Sequence, residues 1–164
     1  MNVTSAAAQR AALLERNLRR VQERVAAAAA RVARPAGSVT LVAVTKLVPP
    51  DIIRLLPGLG IQEIGENRVQ AALEKQASLR ELPVRWHLIG SLQKNKARKA
   101  AGAFACVQSV DSFALADLLS TAAQEAGRRL PVLVQVNIGR EPQKSGVAPE
   151  AAPVDTQNGL CYGA

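Results

Sequence analysis

Residues 38–51 read SVTLVAVTKLVPPD, and this stretch decides the fold. Val39 to Val44 is a short apolar run rich in β-branched residues, which suits a buried strand. It ends at Thr45 and Lys46, and Pro49, Pro50 and Asp51 then open a helix that reaches Leu56 before Pro57 and Gly58 close it. A parallel sheet that binds a dinucleotide usually carries a glycine-rich loop after its first strand. Here the first strand gives way to TKLVPP, which contains no glycine.

Downstream, the strand-then-helix pattern recurs. Ile61 to Ile64 is a weak second strand, followed by Gly65-Glu66-Asn67, where Asn67 can cap a helix running to Leu79. Val84 to Ile89 is a third strand, and Lys94 to Ala103 a basic helix. Cys106 to Val110 is a fourth strand, after which Asp111 or Ser112 caps an apolar helix ending near Gly127. Leu130 to Ile138 is a fifth strand, nearly all apolar, so burial on both faces is expected. Alternating strands and helices imply an α/β fold with a parallel sheet, either a doubly wound open sheet or a (β/α)₈ barrel of the TIM type.

Upstream, residues 5–34 form one long helix. Leu14, Leu18, Val21, Val25, Ala28 and Val32 make a single apolar stripe, arginines fill the other faces, and Pro35 stops it. Past Gly146 the periodicity stops, and AAPVDTQNGLCYGA crowds Pro, Gly, Asn and Gln together. The expected organisation is therefore one domain over 1–146 and an irregular or unrelated tail over 147–164. A complete barrel takes about 200 residues or more, so a barrel here is expected to be truncated after about five strands.

Composition narrows the function. The chain has 164 residues, 48% of them hydrophobic, and a net charge of +8. That charge suits an anionic partner such as a phosphorylated small molecule or a nucleic acid. With only Trp86, Tyr162, Phe104 and Phe113 as aromatics, there is no interleaving of the kind that stacks on bases. A nucleic-acid partner is therefore not expected, and a basic nucleic-acid-binding protein is kept only as an alternative. Cys106 and Cys161 suggest neither a disulfide framework nor a metal site, and a reduced, cytoplasmic setting is the default. Charged residues interrupt any apolar N-terminal run, so neither a signal peptide nor a membrane span is expected.

Three polar residues fall where the chemistry of such a sheet is built. Lys46 lies just beyond the first strand, at the face where barrel active sites assemble, and a partly deprotonated amine there can form an imine with an aldehyde. A solvated surface charge is the plainer reading. Asn67 ends the second strand in the same layer, and could act either as a helix cap or as a group in the same mouth. His87 is the single histidine, sharing a strand face with Ile89 while Trp86 and Leu88 share the other. No second ligand stands near it at metal spacing. Lys94, Lys96, Arg98 and Lys99 read as a solvated helix face, while Glu141 and Lys144 could pair locally or reach the mouth.

LVAVTK ending at Lys46, IGENRVQ from Ile64 to Gln70, WHLIGSLQKNK from Trp86 to Lys96, VQSVDS from Val107 to Ser112 and VQVNIGREPQKSG from Val134 to Gly146 stand in this order. Together they resemble the pyridoxal phosphate homeostasis proteins, whose barrel is similar to the N-terminal domain of alanine racemase. The resemblance covers roughly residues 5 to 146, with Ile64 in place of the family's more common phenylalanine. It implies a barrel with an extra N-terminal helix, and pyridoxal 5'-phosphate (PLP) held by Lys46 as a Schiff base. It also implies Asn67 beside the cofactor, with His87 a further candidate for contact. No metal, no catalytic residue and no enzymatic reaction are expected. The implied role is PLP binding in intracellular homeostasis, with PLP-dependent apo-enzymes as recipients. A PLP-dependent amino-acid racemase built on the same barrel is the enzyme alternative. The family's last third, with its Gly-Met-Ser-x-Asp and Arg-x-Gly segments near the phosphate, has no counterpart in these residues.

Overall fold

The computed structural model describes residues 3–152 and 160–163, with side chains described from 8 to 152. Its centre is a parallel sheet of six strands: β1 Ala43–Val44, β2 Glu63–Glu66, β3 Arg85–Leu88, β4 Cys106–Val110, β5 Val132–Gln135 and β6 Leu160–Gly163. Their spatial order is their sequence order, each strand parallel to the next. A doubly wound sheet reverses its winding at a switch point. This one does not, so it carries the winding of a (β/α) barrel, with β1 and β6 at its two ends.

Between the strands run α2 Pro50–Ile53, α3 Val69–Ser78, α4 Ala97–Ala103 and α5 Phe113–Glu125, after the long α1 Val3–Ala30. The helices cover one face of the sheet. Ile53 and Leu56, Val69 and Ala72, Ala97 and Ala100, Leu115 and Leu119 pack there against Ile64, Trp86, Leu88, Val107 and Val110. Small alanines on α4 let that helix sit close to α5 and the strands. Among the described residues, only Trp86 and Phe104 supply large aromatic volume to the buried core.

Several local expectations are corrected. The first helix ends at Ala30 rather than near Arg34, because Ala33 turns left-handed (φ 53°) and the Arg34 N–H returns to the Ala29 carbonyl at 3.0 Å. The β1 ladder is confined to Ala43–Val44, since its one neighbour, β2, starts only at Glu63, with Ala43 opposite Ile64. Asn67 does not cap α3. Arg68 holds that position without a side-chain bond, and Asn67 lies in the bend just after β2. Beyond β4, Ser112 is the cap, its Oγ accepting from the Leu115 N–H.

The fifth strand and the tail are corrected together. In β5 only Val134 is buried and its neighbours are half-buried, because helices cover just one face of the sheet among the described residues. The tail is not wholly irregular. Leu160–Gly163 forms β6, paired along β5 from Val132 to Gln135, and Val147 bridges Val136 in parallel. So short a strand, ending in a glycine, leaves no period to read. No helix among the described residues is long and apolar enough to cross a membrane.

Candidate functional site

In a parallel sheet every strand ends on the same side, so the residues following the strands form one ring of loops. Val44 lies opposite Gly65. Counting two residues onward along each strand puts Lys46 and Asn67 level, on neighbouring strands. Lys46 is exposed and Asn67 half-buried. The end of β3 presses against Asn67 from the far side. A methyl group on Gly90 would stand 2.4 Å from the Asn67 carbonyl oxygen, so only glycine fits there.

Lys46 sits in a tight turn. The Val48 N–H donates to the Thr45 carbonyl at 2.8 Å, and Leu47 takes a left-handed conformation at φ 73°. This is the position in a type II turn where glycine is usual. Leu47 is 96% exposed, so its side chain has no packing role to explain the strained backbone. The order behind the turn comes from Thr45, whose buried hydroxyl donates to Glu66 Oε1 at 2.7 Å. Lys75 Nζ donates both to that carboxylate and to the Thr45 carbonyl, each at 2.7 Å. The Thr45 N–H donates to the Gly65 carbonyl at 2.9 Å. Every polar atom of the residue before Lys46 is therefore engaged.

His87 lies elsewhere. Opposite Gly65 in the register, it is level with Val44 and two strands away, about 10 Å across at ~4.8 Å per strand spacing. The face alternation expected for β3 holds, with Trp86 and Leu88 in the helix-covered core and His87 outside it. Its Nδ1 accepts from Gln108 Nε2 at 2.9 Å, which leaves the proton on Nε2 to donate to Glu63 Oε2 at 2.6 Å. Both ring nitrogens are thus occupied in a polar row across β2, β3 and β4. Arg85 extends the row, donating to Glu63 Oε1 at 3.1 Å.

At the ends of β3 and β5 an open cavity of about 450 Å³ is lined by residues that include Ser91, Asn137, Glu141 and Lys144. Both readings of the Glu141 and Lys144 pair hold, because the two join at 2.5 Å and also line this cavity. Lys94, Arg98 and Lys99 are exposed, as expected for a solvated face, whereas Lys96 is half-buried. Among the described residues no group of three or more potential ligands could hold a metal ion.

A family model described as the alanine racemase N-terminal domain matches residues 13–157. The chain belongs to that family. The match runs past Gly146 to residue 157. The pyridoxal phosphate homeostasis protein of Pseudomonas aeruginosa is 41% identical over 137 residues, which is 84% of this chain and 60% of that protein. PipY of Synechococcus elongatus PCC7942, solved with PLP bound, is 44% identical with a TM-score of 0.64. The match covers 79% of this chain and 59% of that one. A crystal structure of a Bifidobacterium adolescentis protein superposes with a TM-score of 0.79 at 35% identity, over 87% of this chain and 62% of its own. The chain thus spans about 60% of the length of the curated relatives it matches.

Sequence reasoning missed the Thr45–Glu66–Lys75 cluster and the Glu63–His87–Gln108 row. A signal for the first existed. Strand alternation puts Glu66 on the same face as Ile64, towards the helices, where a carboxylate needs a cationic partner. Lys75 on α3 is that partner.

Proposed function

We propose that this chain binds PLP covalently through Lys46 and serves PLP homeostasis without catalysing a reaction of its own. The observation that carries the reading is an exposed lysine amine just beyond β1, on a backbone fixed from behind and level with Asn67. PLP supplies an aldehyde, to which an unprotonated amine adds with loss of one water. Solvent access lets the amine meet that aldehyde, and the reversibility of the bond suits a carrier that must give the cofactor up. The anchored turn limits the number of orientations from which Lys46 approaches.

The PLP-bound PipY structure and the homeostasis names of the relatives support this reading. PLP-dependent apo-enzymes as recipients, and a cytoplasmic setting, belong to the same proposal. So does a place for Asn67 at the cofactor's edge. His87, tied up on both ring nitrogens and removed from Lys46, enters the proposal as a residue that shapes the sheet face behind the site.

Titration of the chain with PLP, followed by visible absorbance, tests the proposal. A new band that saturates in the wild type and is lost in Lys46→Ala is expected. Equal bands in the two proteins would overturn the assignment.

A further inference from the structure

We infer that Lys75, nine residues beyond Glu66 in the last turn of α3, is a positioning residue for Lys46. This inference rests on the reading of Lys46 as the PLP-bearing lysine. The Lys75 side chain is 16% exposed and that of Glu66 only 1%, so the ion pair is essentially internal. Burying a charged pair is costly and is not the cheapest way to hold a helix on a sheet. What this pair does in particular is reach across to β1.

Lys75 Nζ has two partners, Glu66 Oε1 and the Thr45 carbonyl oxygen. That carbonyl belongs to the peptide joining Thr45 to Lys46. Fixing it fixes the plane of the peptide, and with it the direction in which the Lys46 side chain leaves the backbone. The same oxygen also accepts the Val48 N–H that closes the turn. Glu66 in turn holds Lys75 in place and accepts the Thr45 hydroxyl. The left-handed Leu47 shows what the clamp opposes, because a leucine at φ 73° with 96% exposure gains nothing locally from that conformation. With the carbonyl released, Lys46 and Leu47 can relax to ordinary turn geometries, and the amine samples directions away from the mouth.

The test uses the full chain and the double variant Glu66→Gln/Lys75→Met. Removing both charges together leaves no unpaired buried ion, and the amide oxygen introduced by Glu66→Gln can still accept from the Thr45 hydroxyl. One arm needs no cofactor: amide hydrogen exchange at Val48, whose protection reports the turn, is expected to speed up roughly tenfold in the variant. In the other arm, each protein meets excess PLP and is quenched with borohydride at timed intervals, which reduces the carbon–nitrogen double bond to a stable amine by hydride addition. The rate of adduct formation on Lys46 is expected to fall roughly tenfold, with more of the adduct on other lysines. Lys75→Arg, which keeps a donor for the carbonyl, should restore most of the rate. A double variant that folds and labels Lys46 at the wild-type rate overturns the inference and leaves the PLP reading intact. A wild type that is not labelled on Lys46 overturns both. Should the double variant fail to fold, Lys75→Arg beside Lys75→Gln decides: equal Lys46 labelling rates in those two proteins overturn the inference.

Discussion

At Gly90 the chain leaves no room for a methyl group, because the Asn67 carbonyl oxygen lies 2.4 Å from where a Cβ would stand. The obstruction is backbone, so two strand ends would have to separate. Gly90→Ala is expected to destabilise the fold by about 2 kcal/mol, within the range for overpacked sites, and denaturant unfolding would measure it. Lys46→Ala is the opposite case. Its side chain is exposed, so a stability change of no more than about 0.5 kcal/mol is expected. The pair behind it is sensitive. Lys75→Met alone strands the Glu66 carboxylate in the interior and should cost about 3–5 kcal/mol, and the double variant with Glu66→Gln much less. Equal losses in the two would contradict a charge-based account. The level positions of Lys46 and Asn67 beyond β1 and β2 were legible from the sequence because the end of a parallel strand is a place that can be counted to. The partners of His87 were not, because Glu63 and Gln108 meet it only through strand register, which separations of 24 and 21 residues do not reveal.

Among the elements, those with strong local signals lie close to where the sequence put them. β4 spans the expected Cys106–Val110, and α5 starts behind a Ser112 cap. Ser112→Ala should cost about 1 kcal/mol through loss of the bond to the Leu115 N–H. A lowered melting temperature with unchanged PLP binding is the expected pattern, since α5 lies on the helix-covered side. The weaker readings failed for physical reasons. β1 is short because pairing needs a partner, and its apolar run extends further than β2 can follow. Asn67 looks like a cap because its side chain favours that role, but α3 begins one residue later than that requires, and Arg68 takes the cap position. The four residues of β6 gain their strand character from β5, a neighbour that local sequence does not disclose.

For the molecule as a whole, the sequential winding and the single helix-covered face leave two consequences. β1 and β6 are the end strands of the described sheet, and Val44 in β1 is 52% exposed. Unpaired strand edges recruit other chains. These 164 residues are expected to associate as concentration rises, which light scattering after size exclusion would detect; a monomer across the whole range would contradict it. The net charge of +8 is spread over α1 and the connecting loops, and Trp86 and Phe104 lie in the core. Any nucleic-acid binding should therefore be weak and collapse with added salt.

The most direct measurement is the site of covalent PLP attachment. The PLP-loaded chain is reduced with borohydride, digested, and its pyridoxyl peptide located by mass spectrometry. The expected result is a dominant adduct on Lys46. An adduct mainly on Lys94, Lys96 or Lys144, with Lys46 unmodified, would contradict it.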